Sequence, residues 1–171
     1  IHENSLVEDW EITMVDTGEQ TLKGARIHKI AKYIDDDFMI TYGDGMSDID
    51  INSLVSFHKK HGKIATMTGV SPRSSYGQIT AEDGKVLDFI EKPKFDEGVV
   101  NGGFFIFQKK FFDYLNPNDD CDFEIGPLEQ LTKEGQLMVY HHKGDWICMD
   151  TYRDSVFLNN LWKKGQAFWK A

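Results

Sequence analysis

Apolar residues recur along this chain at two periods, and the switching between them predicts its elements. "WEITMV" at 10–15 alternates Trp10, Ile12 and Met14 with more polar neighbours, which predicts a strand, and Asp16-Thr17-Gly18 then supplies turn residues. From Leu22, the residues Ala25, Ile30 and Ile34 return at roughly helical spacing and predict a helix over 21–34. Phe38-Met39-Ile40 opens a strand over 38–42. Asp50 can cap a helix whose Ile51, Leu54, Val55 and His58 share one face, with Gly62 as its stop, and "KIATMTGV" is strand again. Strand, helix, strand, helix, strand is the order that goes with parallel pairing in an α/β sheet.

After Pro72 the pattern changes. "YGQIT" and "KVLDFIEK" are strand-like and separated by "AEDG", whose Asp83-Gly84 favours a hairpin, so a small antiparallel section is expected. "VVNGGFFIF" is a strand interrupted by glycine, a pattern that marks close approach of backbone or ligand. Phe111 to Leu115 has room for a short helix only. "DFEIGPLEQLTKEG" predicts a helix with Pro127 near its start and Gly135 at its end. "QLMVYHH" and "DWICM" are strands, and Thr151 with Asp154 forms a capping box for a last helix through Leu158 and Trp162. The sum is a mixed, mainly parallel α/β sheet in one domain spanning 1–171.

Composition narrows the function. A length of 171 residues is enough for one proper core. A formal charge of −9 argues against a non-specific grip on nucleic acid or on an anionic membrane, so any bound phosphate must be held locally. Cys121 and Cys148 are too few for a disulfide framework, and no apolar run is long enough to span a bilayer, which predicts a cytoplasmic protein. The chain opens without Met or a leader and enters a strand-like run almost at once, as expected of a chain joined part-way through a fold.

Asp44 sits between Gly43 and Gly45 directly after an apolar strand, and Asp150 follows another. Each alone suits a turn or a cap. Ligands in open α/β sheets collect beyond the carboxyl ends of strands, where two converging carboxylates would suit Mg²⁺. "EKPK" sets Glu91 beside Lys92 at a strand end; a solvated edge is the plain reading, and a point charge for a phosphate the sharper one. "NGGFF" offers the Asn101 amide beside the bare backbone of Gly102, either a β-bulge or a place for a sugar ring. The histidines show no metal spacing and read as surface or packing residues, and no Walker loop, G-x-S-x-G or G-x-G-x-x-G is present.

Taken in order, "DTG…G-x-R" at 16–26, "TYGDG" at 41–45, "SFHKKHGK" at 56–63, "EKPK", "NGGFF" and "MDTYRD" at 149–154 resemble the sugar nucleotidyltransferases, most closely the glucose-1-phosphate cytidylyltransferases. The resemblance runs from about Trp10 to the C-terminus. It implies a Rossmann-like sheet of the nucleotide-diphospho-sugar transferase type and Mg²⁺-dependent transfer of cytidylyl from CTP to glucose 1-phosphate, giving CDP-glucose and pyrophosphate. It implies that Asp44 and Asp150 hold the metal, that Lys92 binds the sugar phosphate, and that Glu91, Asn101 and Gly102 read sugar hydroxyls. Thr17, Gly18, Arg26 and Gly43 fall where the family approaches its nucleotide, and the family leads to an expected homo-oligomer.

The family's glycine-rich G-G-x-G-T-R-L loop and its P-K-P lysine are not in this sequence. The resemblance therefore implies the C-terminal two-thirds of the fold and leaves the activity of the isolated chain open. A non-catalytic sugar-nucleotide-binding or assembly module is the alternative reading, motivated by the aromatic "NNLWKKGQAFWKA". A nucleotide-sugar-dependent glycosyltransferase ranks last, since it explains neither "EKPK" nor "NGGFF".

Overall fold

The computed structural model describes residues 11–72, 76–91 and 98–170. In chain order its strands are β1 (Phe38–Thr41), β2 (Gly45–Ser47), β3 (Ala65–Val70), β4 (Gln78–Glu82), β5 (Lys85–Ile90), β6 (Val100–Phe107), β7 (Leu137–His142) and β8 (Trp146–Cys148). Its α-helices are α1 (Lys23–Ile30), α2 (Ile51–His61), α3 (Pro127–Lys133) and α4 (Tyr152–Lys163).

Phe105, Ile106 and Phe107 are consecutive and all buried, so β6 has both faces covered, as an apolar run without alternation requires. That burial comes from a central place in a four-stranded sheet of order β1-β6-β3-β7. β6 is antiparallel to β1 and β3, and β3 is parallel to β7. The mixed α/β class stands, but the balance of ladders differs from the mainly parallel sheet expected. β1, β3 and β7 run in one direction, yet β6 lies between β1 and β3 and makes most ladders antiparallel. Element order fixes each strand's direction; it does not reveal which later strand will insert beside it.

Alternation across β3 places the helices. Ala65 and Met67 turn toward a cluster containing Ala25 and Ile27 of α1 and Leu128 and Leu131 of α3. Thr66, between Ala65 and Met67, points the other way and bonds His58 and His61 of α2, at 2.7 and 2.8 Å. Helices therefore cover both faces. The α1/α3 side is aromatic: Phe107 stacks on Phe111 at 3.9 Å, and Phe123 meets Phe105 edge-on at 5.4 Å.

The end signals read from the sequence are present where they were expected. Asp50 accepts from Ser53 N at the head of α2, Gly62 closes that helix at φ 63°, and Thr151 and Asp154 form a reciprocal capping box on α4. Asp83 and Gly84, at φ 48° and 80°, turn β4 into β5. Three elements differ. The helix expected over 21–34 ends at Ile30 and passes through a 3₁₀ turn, Ala31–Tyr33, to an extended Ile34. α3 starts only at Pro127, because Gly126 sits at φ 92° and the proline cannot continue a preceding turn of helix. Residues 11–16 form no strand: Ile12 and Met14 are 72% and 92% exposed, and alternation without a hydrogen-bonded neighbour does not make a ladder. No helix among the described residues is long and apolar enough to cross a membrane.

Candidate functional site

The site is built around a two-stranded ribbon at the end of the main sheet. β1 stops at Thr41, the chain turns through Tyr42-Gly43-Asp44, and β2 pairs antiparallel with β8 in the register Gly45↔Cys148, Met46↔Ile147, Ser47↔Trp146. Extending that register by one step brings Asp44 opposite Met149, whose N–H donates to the Asp44 carbonyl at 2.8 Å. Two carboxylates far apart in sequence are thereby set at one end of one ribbon. Donor atoms of Asp44, Cys148 and Asp150 all lie within 4.8 Å of one another.

Cys148 donates its S–H to Asp150 Oδ1 at 3.0 Å. Burial, together with the Asp150 hydrogen bond and the charges of Asp150 and Asp44, pushes its thiol up to about 12. Without a cation the sulfur is a neutral S–H donor to Asp150. The two exposed carboxylates of that group offer hard oxygen chemistry, which suits a partly hydrated Mg²⁺.

The ribbon is anchored at its other end and along its side. Asp48 Oδ1 accepts from Asp145 N and from His142 Nε2, each at 2.8 Å. Trp146 Nε1 donates to the Gly102 carbonyl at 2.9 Å, which ties β8 to β6 at the glycine pair. What approaches those glycines most closely is the protein itself. A Cβ on Gly102 would lie 2.7 Å from Val70 Cγ1, and one on Gly103, at φ 80°, would lie 2.5 Å from the Tyr42 ring. At Gly43, by contrast, a Cβ would meet nothing within 4 Å. The backbone beside Asp44 is open.

Asn101 is held from both sides. Its Oδ1 accepts from Gly103 N and its Nδ2 donates to Glu124 Oε1, both at 2.9 Å. Glu124 Oε1 also accepts from the Tyr42 hydroxyl, and Lys23 Nζ donates to Oε2. Burial works against the Glu124 charge, but the Lys23 and Tyr42 donors outweigh it and hold the carboxyl below its ordinary value. Burial and the same carboxylate push the Tyr42 phenol up. Nothing local in "DFEIGP" singles out Glu124: Lys23, Tyr42 and Asn101 meet it from three distant parts of the chain.

Thr17, Gly18 and Arg26 form a second cluster. Arg26 donates to Thr17 Oγ1 at 2.7 Å and to the Glu19 carbonyl at 3.1 Å, and Gly18 N donates to Asp16 Oδ1 at 2.9 Å. Lys29 Nζ joins the Thr17 carbonyl to Asp119 Oδ1, at 2.9 and 2.6 Å. Among the described residues this cluster is fastened to the Asp119 loop and not to the Asp44–Asp150 pair. Glu91 is exposed just beyond β5, and Lys92 lies outside the described residues.

Comparison with known proteins places this geometry. The chain is 45% identical over 166 residues to the glucose-1-phosphate cytidylyltransferases of Salmonella typhi and Salmonella typhimurium, covering 96% of this chain and 64% of theirs. It thus spans a little under two-thirds of the length of those relatives. The crystal structure of HddC from Yersinia pseudotuberculosis superposes on 81% of this chain and 61% of its own with a TM-score of 0.59 at 23% identity, which establishes a shared fold. The family model described as nucleotidyl transferase matches residues 4–168, and with it the chain belongs to the nucleotidyl transferase family.

Proposed function

We propose that the protein to which this chain belongs transfers cytidylyl from CTP to α-D-glucose 1-phosphate, giving CDP-glucose and pyrophosphate. The observation that supports it most directly is the convergence of Asp44 and Asp150 at one end of the β2–β8 ribbon. The nucleophile in such a transfer is a phosphate oxygen that is already anionic, so no general base is called for. A sugar-phosphate oxygen forms a bond to the α-phosphorus of CTP, the bond to the β-phosphate oxygen breaks, and pyrophosphate leaves with the electron pair. The difficulty is charge: two anions must meet, and more charge develops on the leaving group.

Asp44 and Asp150 would hold Mg²⁺, which when bound offsets phosphate charge and orients the reacting groups. Asn101 and Gly102 are assigned to the sugar in this reading, Gly102 with its carbonyl already bonded to Trp146, and Glu91 and Lys92 are assigned to the sugar hydroxyls and the sugar phosphate. The open backbone at Gly43 leaves room for the nucleotide next to Asp44. Thr17, Gly18 and Arg26 are assigned to the nucleotide side, where Arg26 keeps its local bonds as it orders the 16–26 segment. Homo-oligomerisation is part of this reading, with the exposed Val156, Phe157 and Trp162 of α4 open to cover by a second copy or by the rest of the protein, and free Cys121 and Cys148 are in keeping with a cytoplasmic setting.

The test is calorimetric binding of CDP-glucose with and without Mg²⁺, to the native chain and to Asp150→Asn. The reading expects binding that needs Mg²⁺ in the native chain and loses that dependence in the variant. Metal-independent binding of equal strength in both proteins would overturn it. Turnover is followed as pyrophosphate release from CTP, UTP, dTTP and GTP in turn, with preference for CTP expected.

A further inference from the structure

Glu124 lies outside the motifs that identify the family, yet its carboxylate is the meeting point of three elements. Oε2 takes the ammonium of Lys23 from α1, and Oε1 takes the Tyr42 hydroxyl and the Asn101 amide, from the β1–β2 turn and from β6. Three donors on one half-buried carboxylate, one of them charged, make a network in which every bond is charge-assisted. Its geometry fixes something that packing alone does not. An asparagine amide has nearly the same shape in its two flipped orientations and is directed only by its hydrogen bonds. Here Gly103 N–H demands an oxygen and Glu124 demands an N–H, so Oδ1 must face the backbone and Nδ2 the carboxylate. What Asn101 can offer to a ligand is then one remaining N–H and one remaining lone pair, in set directions.

We propose that Glu124 is the positioning residue for sugar recognition. By fixing the amide of Asn101 it sets the pattern of donor and acceptor shown to the hexose, and through Tyr42, two residues before Asp44, it keeps that pattern in register with the metal-holding carboxylates. The inference rests on the reading in which Asn101 faces the sugar. It adds a residue that acts on the choice of hydroxyl geometry through Asn101.

Glu124→Gln keeps the shape but sets a donor against Lys23 and removes the charge that strengthens all three bonds, so Asn101 Nδ2 is held by a weaker partner while Gly103 N–H alone still directs Oδ1. The experiment compares binding of CDP-glucose with that of CDP, both with Mg²⁺, for the native chain, Glu124→Gln, Asn101→Ala and the double variant. Expected is a loss of about tenfold in CDP-glucose affinity for each single variant, CDP binding unchanged, and no further loss in the double variant. A tenfold effect of Asn101→Ala with none from Glu124→Gln overturns the inference and leaves the sugar-facing reading of Asn101 intact. No effect of Asn101→Ala on the CDP-glucose increment removes that reading, and this inference with it. Should Glu124→Gln fail to fold, the native chain still decides. With asparagine side chains labelled with ¹⁵N, the Asn101 amide protons are expected to exchange with solvent more slowly than those of exposed Asn116 and Asn118. Exchange as fast as theirs overturns the proposal.

Discussion

Asp44 and Asp150 lie at one end of the same ribbon because Met149 donates its N–H to the Asp44 carbonyl, 2.8 Å away, one step beyond the last paired residues of β2 and β8. The pairing of a three-residue strand thus decides whether two carboxylates can share a cation. Replacing either carboxylate with its amide leaves the ribbon's backbone bonds in place and removes half of the anionic donor set. Asp44→Asn and Asp150→Asn should each weaken Mn²⁺ binding by at least about tenfold, with melting temperature little changed. Mn²⁺ quenching of Trp146, which sits in β8, is a direct readout once Trp10, Trp162 and Trp169 are replaced by Phe; undiminished quenching in both variants would show that the cation sits elsewhere.

The thiol between those carboxylates reports on them. Burial first, and then the hydrogen bond and charge of Asp150, push Cys148 up to about 12, so little thiolate is present near neutral pH and alkylation by iodoacetamide should be slow. Removing the Asp150 charge removes a cause of that rise. Asp150→Asn should therefore speed labelling of Cys148, read by mass spectrometry of the peptide containing it, while buried Cys121 stays slow in both proteins. Equal Cys148 rates in the two proteins would mean that Asp150 has no part in protecting the sulfur.

Most of the architecture was legible in the sequence because its signals are local. The caps at Asp50 and Thr151, the stop at Gly62 and the turn at Asp83-Gly84 are settled by a few residues each. "VVNGGFFIF" was legible as a glycine-interrupted strand, but its central place was not, because the order of strands around it is not local information. Asp44 stood out as an acid at the end of an apolar strand. Glu124 did not, since its meaning arises only when α1, the β1–β2 turn and β6 are folded together. Ile12 and Met14 misled for the converse reason: alternation states which face a strand would bury, not whether a neighbour is there to bury it.

A pH-dependent contribution to stability comes from the histidines under the sheet. His58 is 2% exposed, and burial first, then the neighbouring His61, hold it below its ordinary 6.5, with Asp37 opposing. Burial and Lys63 lower His61 in the same way, and both rings meet the one Thr66 hydroxyl, which can give its proton to only one of them. The folded state thus binds fewer protons than the unfolded chain as pH falls below 6.5, so stability drops from there downward until the folded histidines themselves titrate. Urea midpoints should decline across that window. In His58→Gln the decline should be shallower, although the starting midpoint is lower. The carboxylates held low by their partners, Glu124 among them, add their own loss only in more acidic solution. A midpoint flat from pH 6.5 down to the carboxylate range would contradict the account.

Two glycines of the site should respond to the same substitution in opposite ways. At Gly103 a methyl group would press into the Tyr42 ring at 2.5 Å and force a non-glycine residue to φ 80°, so Gly103→Ala should destabilise the fold by about 1–3 kcal/mol from backbone strain alone. At Gly43 nothing lies within 4 Å of an added Cβ, so Gly43→Ala should stay within about 0.5 kcal/mol of the native chain. If the nucleotide phosphates approach the backbone there, beside Asp44, the methyl group occupies their space. Gly43→Ala should then melt like the native chain and yet bind CDP-glucose with Mg²⁺ markedly more weakly. Unchanged melting with unchanged binding would place the nucleotide away from this turn, and a lowered melting temperature would show that Gly43 serves the turn rather than the ligand.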